Sequence, residues 1–489
     1  MAKKSSPLQS YHENSIPCRF DNHLMTLIKS ISGIRGTIGG RPGEGLTPLD
    51  IVRFTAAFGT WALHQSPATA KRPVMVVGRD ARTSGELVNS IVCSTLNALG
   101  IDIVNAGLAT TPTVEIAVPF SGAIAGIILT ASHNPSQWNA LKLVNRNGEF
   151  ISAREGEEVL LLAAQEMFEF VGADQLGIST GKDFLPYHIG KVMELPEVNQ
   201  DAIIRAGITV VVDAVNSVGG VAVPALLEAL GVKKIILVNC IPDGKFAHNP
   251  EPLPEHLGKL AEEVVKNKAD LGIAVDPDVD RLALVNQDGS FFGEEYTLVA
   301  VADYILSKSP GNTVSNLSSS RALRIVTEKH GGQYLATPVG EVHVVAGMKQ
   351  TGALIGGEGN GGIIFPALHF GRDALVGIAL FLSYYAGSGS TMTAIKKRFP
   401  VFEMAKKKID LPSGTDIQRI LDFVKNSHNN YPSDASDGLK IEFPDGWVHL
   451  RKSNTEPVIR VYSEAGTLEK ADRLGSRLVH EILDFVKKC

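Results

Sequence analysis

The chain has 489 residues, 44% of them hydrophobic and 20% charged, and this length exceeds the size at which a single hydrophobic core usually stops growing. The net charge of -5 and the even spread of Lys and Arg exclude a basic surface for nucleic acid. The four cysteines match no zinc or redox spacing, and no apolar run resembles a membrane span or a signal peptide, so we expect a protein of the reducing cytoplasm.

Residues 1–24 are polar without a period, and a strand-like run begins at Met25. We predict a disordered extension there, or an extension ahead of a second start at Met25. The pattern strand, turn, helix, glycine, strand then begins at Pro73 and Ile208, and more weakly at Thr313. Apolar strands that alternate with amphipathic helices predict mixed or parallel sheets covered by helices on both faces. This pattern predicts three related α/β domains, over 25–185, 186–289 and 290–402.

The end of the chain has a different pattern. Residues 446–450 and 457–462 have the composition of two neighbouring strands, and a final helix is predicted over 468–487. Between 426 and 438 the chain is rich in Ser, Asn and Asp, which predicts an exposed loop. We therefore predict a fourth, smaller α+β domain over 403–489.

An acidic motif, Asp276-Pro-Asp278-Val-Asp280-Arg281, follows an apolar strand. Carboxylates this close repel each other by roughly 3 kcal/mol per pair at an effective dielectric constant of about 20. A hard cation removes the repulsion, and ligation by oxygen alone suits Mg²⁺. The alternative is an acidic turn in solvent, but such turns seldom follow a buried strand directly.

A second polar motif, Thr130-Ala-Ser-His-Asn-Pro135, follows the apolar run 123–129. Ser132 stands where the predicted strand ends, which is the edge at which α/β sheets bind ligands. The alternative is a surface turn built from Ser, Asn and Pro. Hydrolase chemistry is disfavoured, because the G-x-S-x-G elbow is absent. A serine that carries a phosphoryl group beside a metal ion fits both polar motifs.

Two further loops have ligand-binding composition. In the glycine-rich loop 356–362, glycine lets the backbone approach a ligand, and Glu358 can accept hydrogen bonds from two sugar hydroxyls. Near the end of the chain, guanidinium, hydroxyl and amide donors suited to a phosphate come from Arg451, Ser453, Asn454, Thr455 and Arg460. As isolated features these residues equally fit an ordinary polar loop.

The four motifs in this order resemble the α-D-phosphohexomutase family, from about Met25 to the end of the chain. The resemblance implies four domains around a central cleft and a phosphorylated Ser132. It implies one Mg²⁺ ion held by Ser132, Asp276, Asp278 and Asp280.

The same resemblance implies roles for cationic residues. Arg281 matches the arginine that neutralises the phosphoryl group in transit. Lys142 matches the active-site lysine and Arg35 the arginine near the reacting hydroxyl, and either one can assist proton removal. His133 and Asn134 are expected to orient the phosphoserine loop, and the loop 451–460 to hold the phosphate that does not react.

The expected substrate follows from smaller differences between this sequence and other members of the family. The form G-E-G-N-G, in which Asn360 replaces the serine of many bacterial relatives, is similar to that of archaeal and Bacteroidetes-type phosphoglucosamine mutases. Glu341 stands where some mannose and glucose enzymes have histidine. We therefore expect interconversion of glucosamine 6-phosphate and glucosamine 1-phosphate through a bisphosphorylated sugar, with Mg²⁺ and a hexose 1,6-bisphosphate primer.

Three alternatives stay open. One is phosphomannomutase or phosphoglucomutase activity. Another is an aspartate-based phosphatase in which Asp276 is phosphorylated, and the third is a sugar-phosphate binder without turnover. A small phosphosugar is the expected partner in each case, and the sequence leaves the oligomeric state open.

Overall fold

The computed structural model describes residues 25–30, 33–66, 71–412, 414–452 and 458–488. Their strands form four sheets that follow one another along the chain. The predicted extension at residues 1–24 lies outside the described residues. None of the described helices is long and apolar enough to cross a membrane.

The first sheet is mixed and has seven strands. They are β1 (Ile28–Ser30), β2 (Gly33–Thr37), β3 (Val74–Arg79), β4 (Asp102–Leu108), β5 (Ala125–Leu129), β6 (Trp138–Asn145) and β7 (Ser179–Gly181), in the spatial order β1-β2-β6-β5-β3-β4-β7. The helices of this part are α1 (Pro48–His64), α2 (Gly85–Ala98), α3 (Thr111–Phe120) and α4 (Ala153–Gln165). Capping boxes at Thr47 and Ser152 begin α1 and α4.

The first strand is shorter than the sequence predicts. It begins at Ile28 and not at Met25. The N–H groups of both Thr26 and Leu27 donate to the Glu44 carbonyl, at 2.7 and 2.9 Å, and this shared acceptor keeps them out of the ladder.

The second and third sheets have four strands each. The second, in the order β11-β10-β8-β9, contains β8 (Thr209–Asp213), β9 (Lys234–Val238), β10 (Leu271–Val275) and β11 (Leu282–Asn286). The third, in the order β13-β12-β14-β15, contains β12 (Thr313–Asn316), β13 (Tyr334–Thr337), β14 (Ile355–Glu358) and β15 (Gly362–Ile364). Around them lie α5 (Leu185–Met193), α6 (Gln200–Ala206), α7 (Gly219–Ala229), a 3-10 turn (Pro254–His256), α8 (Gly258–Lys266), α9 (Glu294–Lys308), α10 (Ala322–Lys329), α11 (Glu341–Thr351), α12 (Ala374–Ser388) and α13 (Met392–Lys396).

One hydrophobic core joins the second sheet to the third. It contains buried side chains of α7, α9, α10 and α12 together with those of β8, β10 and β14. The apolar helix α12 follows Arg372-Asp373, and Asp373 caps it by accepting from the N–H groups of Leu375 and Val376. These two parts of the chain therefore pack as one body.

The fourth sheet is antiparallel and separate from that core. It consists of β16 (Glu403–Asp410), β17 (Ser433–Asp434), β18 (Leu439–Phe443), β19 (Gly446–Lys452) and β20 (Val458–Ala465), with α14 (Ile417–Ser427) and α15 (Leu468–Lys488), in the strand order β16-β20-β19-β18-β17. It has its own hydrophobic core. Most of the loop predicted over 426–438 is exposed, but it contains the edge strand β17, which pairs with β18. The predicted fold class, three α/β parts and a smaller C-terminal α+β part, is confirmed.

Candidate active site

The acidic motif forms a closed loop directly after the buried strand β10. A ligand oxygen from each of Asp276, Asp278 and Asp280 lies within 4.8 Å of the others, and all three side chains are buried. Asp276 Oδ1 closes the loop by accepting from the backbone N–H groups of Asp280 (3.1 Å) and Arg281 (3.2 Å). The alternative of an acidic turn in solvent is therefore wrong, because these carboxylates lie inside the protein.

Two carboxylate oxygens of this loop are available to bind a cation. Asp278 Oδ2 accepts from Lys142 Nζ (2.7 Å) and Thr111 Oγ1 (2.6 Å), and Asp280 Oδ2 accepts from Arg372 Nη2 (2.7 Å). In each of these aspartates the other oxygen, Oδ1, has no hydrogen-bond partner among the described residues. Buried polar atoms seldom stay unpaired. This set of carboxylate oxygens fits Mg²⁺.

The three aspartates do not share one electrostatic environment. Burial, followed by the charges of Asp280 and Asp278, raises the pKa of Asp276 well above its ordinary value. Burial opposes charge on Asp278 too, but the Lys142 ammonium outweighs it and lowers the pKa of Asp278 below its ordinary value. A divalent cation would favour the charged form of all three.

Ser132 contacts the acidic loop directly. It follows β5 with φ at +48°, a left-handed conformation that is uncommon for residues other than glycine. Its Oγ donates to Asp276 Oδ2 at 2.7 Å and lies 3.3 Å from His133 Nδ1. The fold thus brings together the serine and the acidic motif, which are 144 residues apart.

His133 lies beside the serine as a neutral ring. Burial, followed by the positive charge of Arg281, lowers the pKa of His133 well below its ordinary value. Arg281 itself donates through Nη1 to Glu251 Oε1 at 3.3 Å, and its Nε lies 3.9 Å from Asp280 Oδ1. The Arg281 guanidinium therefore lies beside the metal loop, and its charge also acts on His133.

The serine loop is held by a buried arginine that sequence reasoning missed. Arg82 donates to the carbonyls of Ser132 and Asn134, both at 2.6 Å, and to those of Pro135 (2.6 Å) and Trp138 (3.0 Å). Its Nε donates to Asp80 Oδ2 at 3.0 Å. Asn134 contacts Arg82 through its backbone carbonyl, and its orienting role stays a prediction.

The glycine-rich loop lies against the metal loop. Glu358 Oε1 accepts from Asn316 Nδ2 (2.9 Å) and from the Gly340 N–H (3.2 Å), and its Oε2 accepts from Arg372 Nη1 (2.8 Å). Asn360 Oδ1 accepts from the Gly362 N–H at 3.2 Å. Glu358 is buried and accepts hydrogen bonds from all three of these donors. The carboxylate has further lone pairs that can accept hydrogen bonds from a ligand.

The end of the fourth sheet supplies positive charge. Arg451 and Arg460 are directly opposite each other across β19 and β20, a like-charge pair that an anion would relieve. Arg451 Nε donates to Asp437 Oδ2 at 2.7 Å, while Arg460 is exposed. Burial, followed by the charge of Arg460, lowers the pKa of Arg35. Ser453, Asn454 and Thr455 lie outside the described residues.

Arg372 and Thr111 also bind the acidic loop, and the sequence analysis did not select them. Arg372 directly precedes Asp373, the residue that caps the start of α12. The missed signal was a charge directly before a wholly apolar helix, since a guanidinium in that position is buried and needs anionic partners. For Thr111 the sequence carried no comparable signal.

Comparisons with known proteins agree with this geometry. Models of the phosphoglucomutase/phosphomannomutase α/β/α domains I, II and III match residues 27–169, 187–289 and 293–402, and the C-terminal domain model matches residues 402–481.

Named relatives match over almost the whole chain. A Thermococcus kodakarensis protein named phosphoglucomutase/phosphomannomutase is 34% identical over 457 residues, which is 92% of this chain and 98% of that one. A Methanopyrus kandleri protein named "Probable phosphoglucosamine mutase" is 32% identical over 94% of this chain and 97% of its own. A crystal structure of a Burkholderia thailandensis family member superposes with a TM-score of 0.79 at 26% identity, covering 94% of this chain and 98% of that one.

The four motifs of the sequence lie on these matched domains in the expected order. The chain therefore belongs to the phosphoglucomutase/phosphomannomutase family, the α-D-phosphohexomutases, and is a mutase of the isomerase class.

Proposed function

We propose that the protein moves a phosphoryl group between O6 and O1 of glucosamine phosphate, with Ser132 as the phosphoryl carrier. The observation that carries the proposal is the buried hydrogen bond of 2.7 Å between Ser132 Oγ and Asp276 Oδ2, in a site where Asp278 Oδ1 and Asp280 Oδ1 have no hydrogen-bond partner in the described part of the chain. A buried strand-end serine adjacent to a candidate divalent cation site suits phosphoryl transfer, in which positioning and charge stabilisation dominate.

Each half-reaction exchanges one P–O bond. A hydroxyl oxygen of the sugar attacks the phosphorus on Ser132, the bond from phosphorus to Oγ breaks, Oγ keeps the electron pair and the hydroxyl proton leaves. The bisphosphorylated sugar then turns round, and the phosphate at its other position returns to Oγ while that sugar oxygen regains a proton.

The residues around Ser132 would stabilise charge on the transferring group. Asp276, Asp278, Asp280 and the serine would hold Mg²⁺, which when bound neutralises developing negative charge on the phosphoryl oxygens. Arg281 adds a fixed guanidinium on the other side. Although burial opposes its charge, Asp278 and Asp280 raise the pKa of Lys142, so Lys142 acts in this arrangement as a third positive charge.

The choice of glucosamine rests on the sugar-facing loop. Glu358 belongs to the glycine-rich loop and Glu341 shares Arg372 with it, and carboxyl groups in this position suit the C2 ammonium of an amino sugar. The relative from Methanopyrus kandleri, named as a phosphoglucosamine mutase, supports this choice. The arginines Arg451 and Arg460 would hold the phosphate that does not react.

The test compares kcat/KM on glucosamine 1-phosphate, glucose 1-phosphate and mannose 1-phosphate, using phosphorylated protein, Mg²⁺ and a hexose 1,6-bisphosphate primer. We expect the amino sugar to be preferred by roughly tenfold or more, about 1.4 kcal/mol of transition-state binding. Equal or faster turnover of glucose or mannose would reject the proposed sugar and leave the phosphoryl-transfer mechanism in place.

The second candidate is phosphoglucomutase or phosphomannomutase activity, favoured by the name of the Thermococcus kodakarensis relative. The same three-sugar comparison decides between them. An aspartate-based phosphatase would not need the serine, so Ser132→Ala separates it from both mutases. We expect this variant to lose mutase turnover and to release no phosphate; a fully active variant would favour the phosphatase.

A further inference from the structure

The side chain of Arg372 crosses from the glycine-rich loop to the metal loop. Its Nη2 donates to Asp280 Oδ2 at 2.7 Å, its Nη1 to Glu358 Oε2 at 2.8 Å and its Nε to Glu341 Oε2 at 2.9 Å. The guanidinium thus uses all three nitrogens on three different carboxylates. Only 10% of the side chain is exposed, so these interactions form with little competition from water.

The backbone on both sides of this contact is also fixed. The Ala374 N–H donates to the Val279 carbonyl at 3.1 Å, and the Leu282 N–H donates to the Gly361 carbonyl at 3.1 Å. Asp280 therefore lies between two backbone hydrogen bonds that tie its loop to the third sheet. A displacement of one loop has to displace the other.

The position of the Arg372 side chain depends on a neighbouring glycine, Gly362, which has no side chain. A Cβ atom added at Gly362 would lie 2.3 Å from Arg372 Cδ and 3.1 Å from its Cγ. Because φ at this glycine is not in the left-handed region, space and not backbone conformation is what requires glycine here. Gly362 is the gap through which Arg372 reaches the three carboxylates.

We propose that Arg372 is a positioning residue that couples sugar recognition to metal binding, with Gly362 as the space it needs. This inference rests on the proposed function for the roles of Glu358 and of the aspartates, but not on which hexose is the substrate. When Glu358 accepts hydrogen bonds from a sugar, Arg372 transmits any shift of that carboxylate to Asp280. Linkage requires the reverse effect as well, so Mg²⁺ at the aspartates tightens sugar binding.

The experiment measures this coupling without turnover. In full-length unphosphorylated protein without bisphosphate primer, which keeps Ser132 and has no phosphoryl group to transfer, calorimetry gives the Kd of glucosamine 6-phosphate and of glucose 6-phosphate with and without Mg²⁺. We expect Mg²⁺ to tighten binding by about fivefold or more, the lower end of typical allosteric couplings. Adding Arg372→Lys or Gly362→Ala should reduce this ratio to below about twofold, because both variants keep the positive charge and break its three-carboxylate geometry.

Matched controls exist in the chain. Arg53→Lys changes an exposed arginine that pairs with Glu166, and Gly387→Ala adds a methyl group where no other described residue, apart from the chain neighbours and the helix's own backbone, has an atom within 4 Å. Both controls should keep the parent's ratio. Thermal melting identifies any variant that fails to fold. If Arg372→Lys or Gly362→Ala fails to fold, the other of these two variants decides the test.

Two results would overturn the inference: a parent without coupling, or a folded Arg372→Lys or Gly362→Ala protein with the parent's coupling. Turnover assays on the three sugars answer a separate question. If the parent prefers glucose or mannose, the proposed sugar is wrong, while the loss or retention of coupling in these variants still tests Arg372.

Discussion

The two ends of the candidate active site differ in burial. At the metal end, Ser132, Asp276, Asp278 and Asp280 are each at most 8% exposed and lie among the elements of the first three sheets. At the phosphate end, Arg460 is exposed on the fourth sheet, which has its own separate core. Both ends are charged, yet only the first is enclosed.

This difference matches two tasks of a mutase. Bond exchange needs charges fixed in place, and a low-dielectric surrounding strengthens each of them. The phosphate that does not react has to enter, leave and change places with the other one, which requires solvent access. Changes at the metal end should therefore reduce kcat or stability, and changes at the phosphate end should raise KM.

The largest expected effect comes from removing two metal ligands. Asp278→Asn with Asp280→Asn should lower kcat/KM by about 10³-fold or more, on the order of 4 kcal/mol, because the cation site loses charge. Calorimetry with Mg²⁺ should show loss of binding in the same protein. The exposed Asp174→Asn is the control, and wild-type turnover in the presence of a chelator would contradict the metal assignment.

Arg82 tests whether burial at the metal end is structural as well. Arg82→Met leaves the buried Asp80 carboxyl without its guanidinium partner and leaves four loop carbonyls without their donor. Breaking a buried ion pair in this way typically costs about 3 to 5 kcal/mol. We expect the free energy of unfolding, measured by chemical denaturation, to fall by about that amount, with turnover reduced in the protein that remains folded. Unchanged stability would show that the serine loop holds its own conformation.

At the metal end, the sequence was enough to select two residues that meet in the fold although they are 144 residues apart in the chain. Ser132 and Asp276 each follow an apolar strand, and the strand-end rule for α/β sheets was enough to place both at a ligand-binding edge. Arg372 and Arg82 were missed because their partners are distant carboxylates and carbonyls, and no local pattern encodes such a pairing. The strand expected at Met25 also failed for a tertiary reason, the shared Glu44 carbonyl.

The phosphate end should respond through affinity. Arg460→Ala removes one of two guanidinium groups that are opposite each other, and we expect KM for the sugar phosphate to rise about tenfold, about 1.4 kcal/mol. Reorientation should slow as well, so more free bisphosphate should appear in solution per turnover. Arg473→Ala, at an exposed ion pair on α15, is the matched control. Wild-type KM and bisphosphate release would remove Arg460 from the site.

The smallest effects concern pH, at a buried junction next to the metal end. Burial opposes charge on Asp373, but the neighbouring His188 and His369 lower its pKa below the ordinary 3.8. Its contribution to stability is therefore complete above pH 3.8 and is lost as the pH falls further. Glu115 has the opposite shift, because burial, followed by the charge of Glu341, raises its pKa well above 4.5.

Glu115 therefore stabilises the folded protein fully below pH 4.5, and this contribution is lost as the pH rises towards the raised pKa. Two variants separate these contributions by denaturation at a series of pH values. Relative to wild type, Glu115→Gln should gain stability as the pH rises from 4.5, and Asp373→Asn should show its largest loss above pH 3.8. The two difference curves then depend on pH in separate windows, one for each carboxyl. Parallel, flat curves would mean that neither shift is real, and the metal end would be no more specialised electrostatically than the exposed phosphate end.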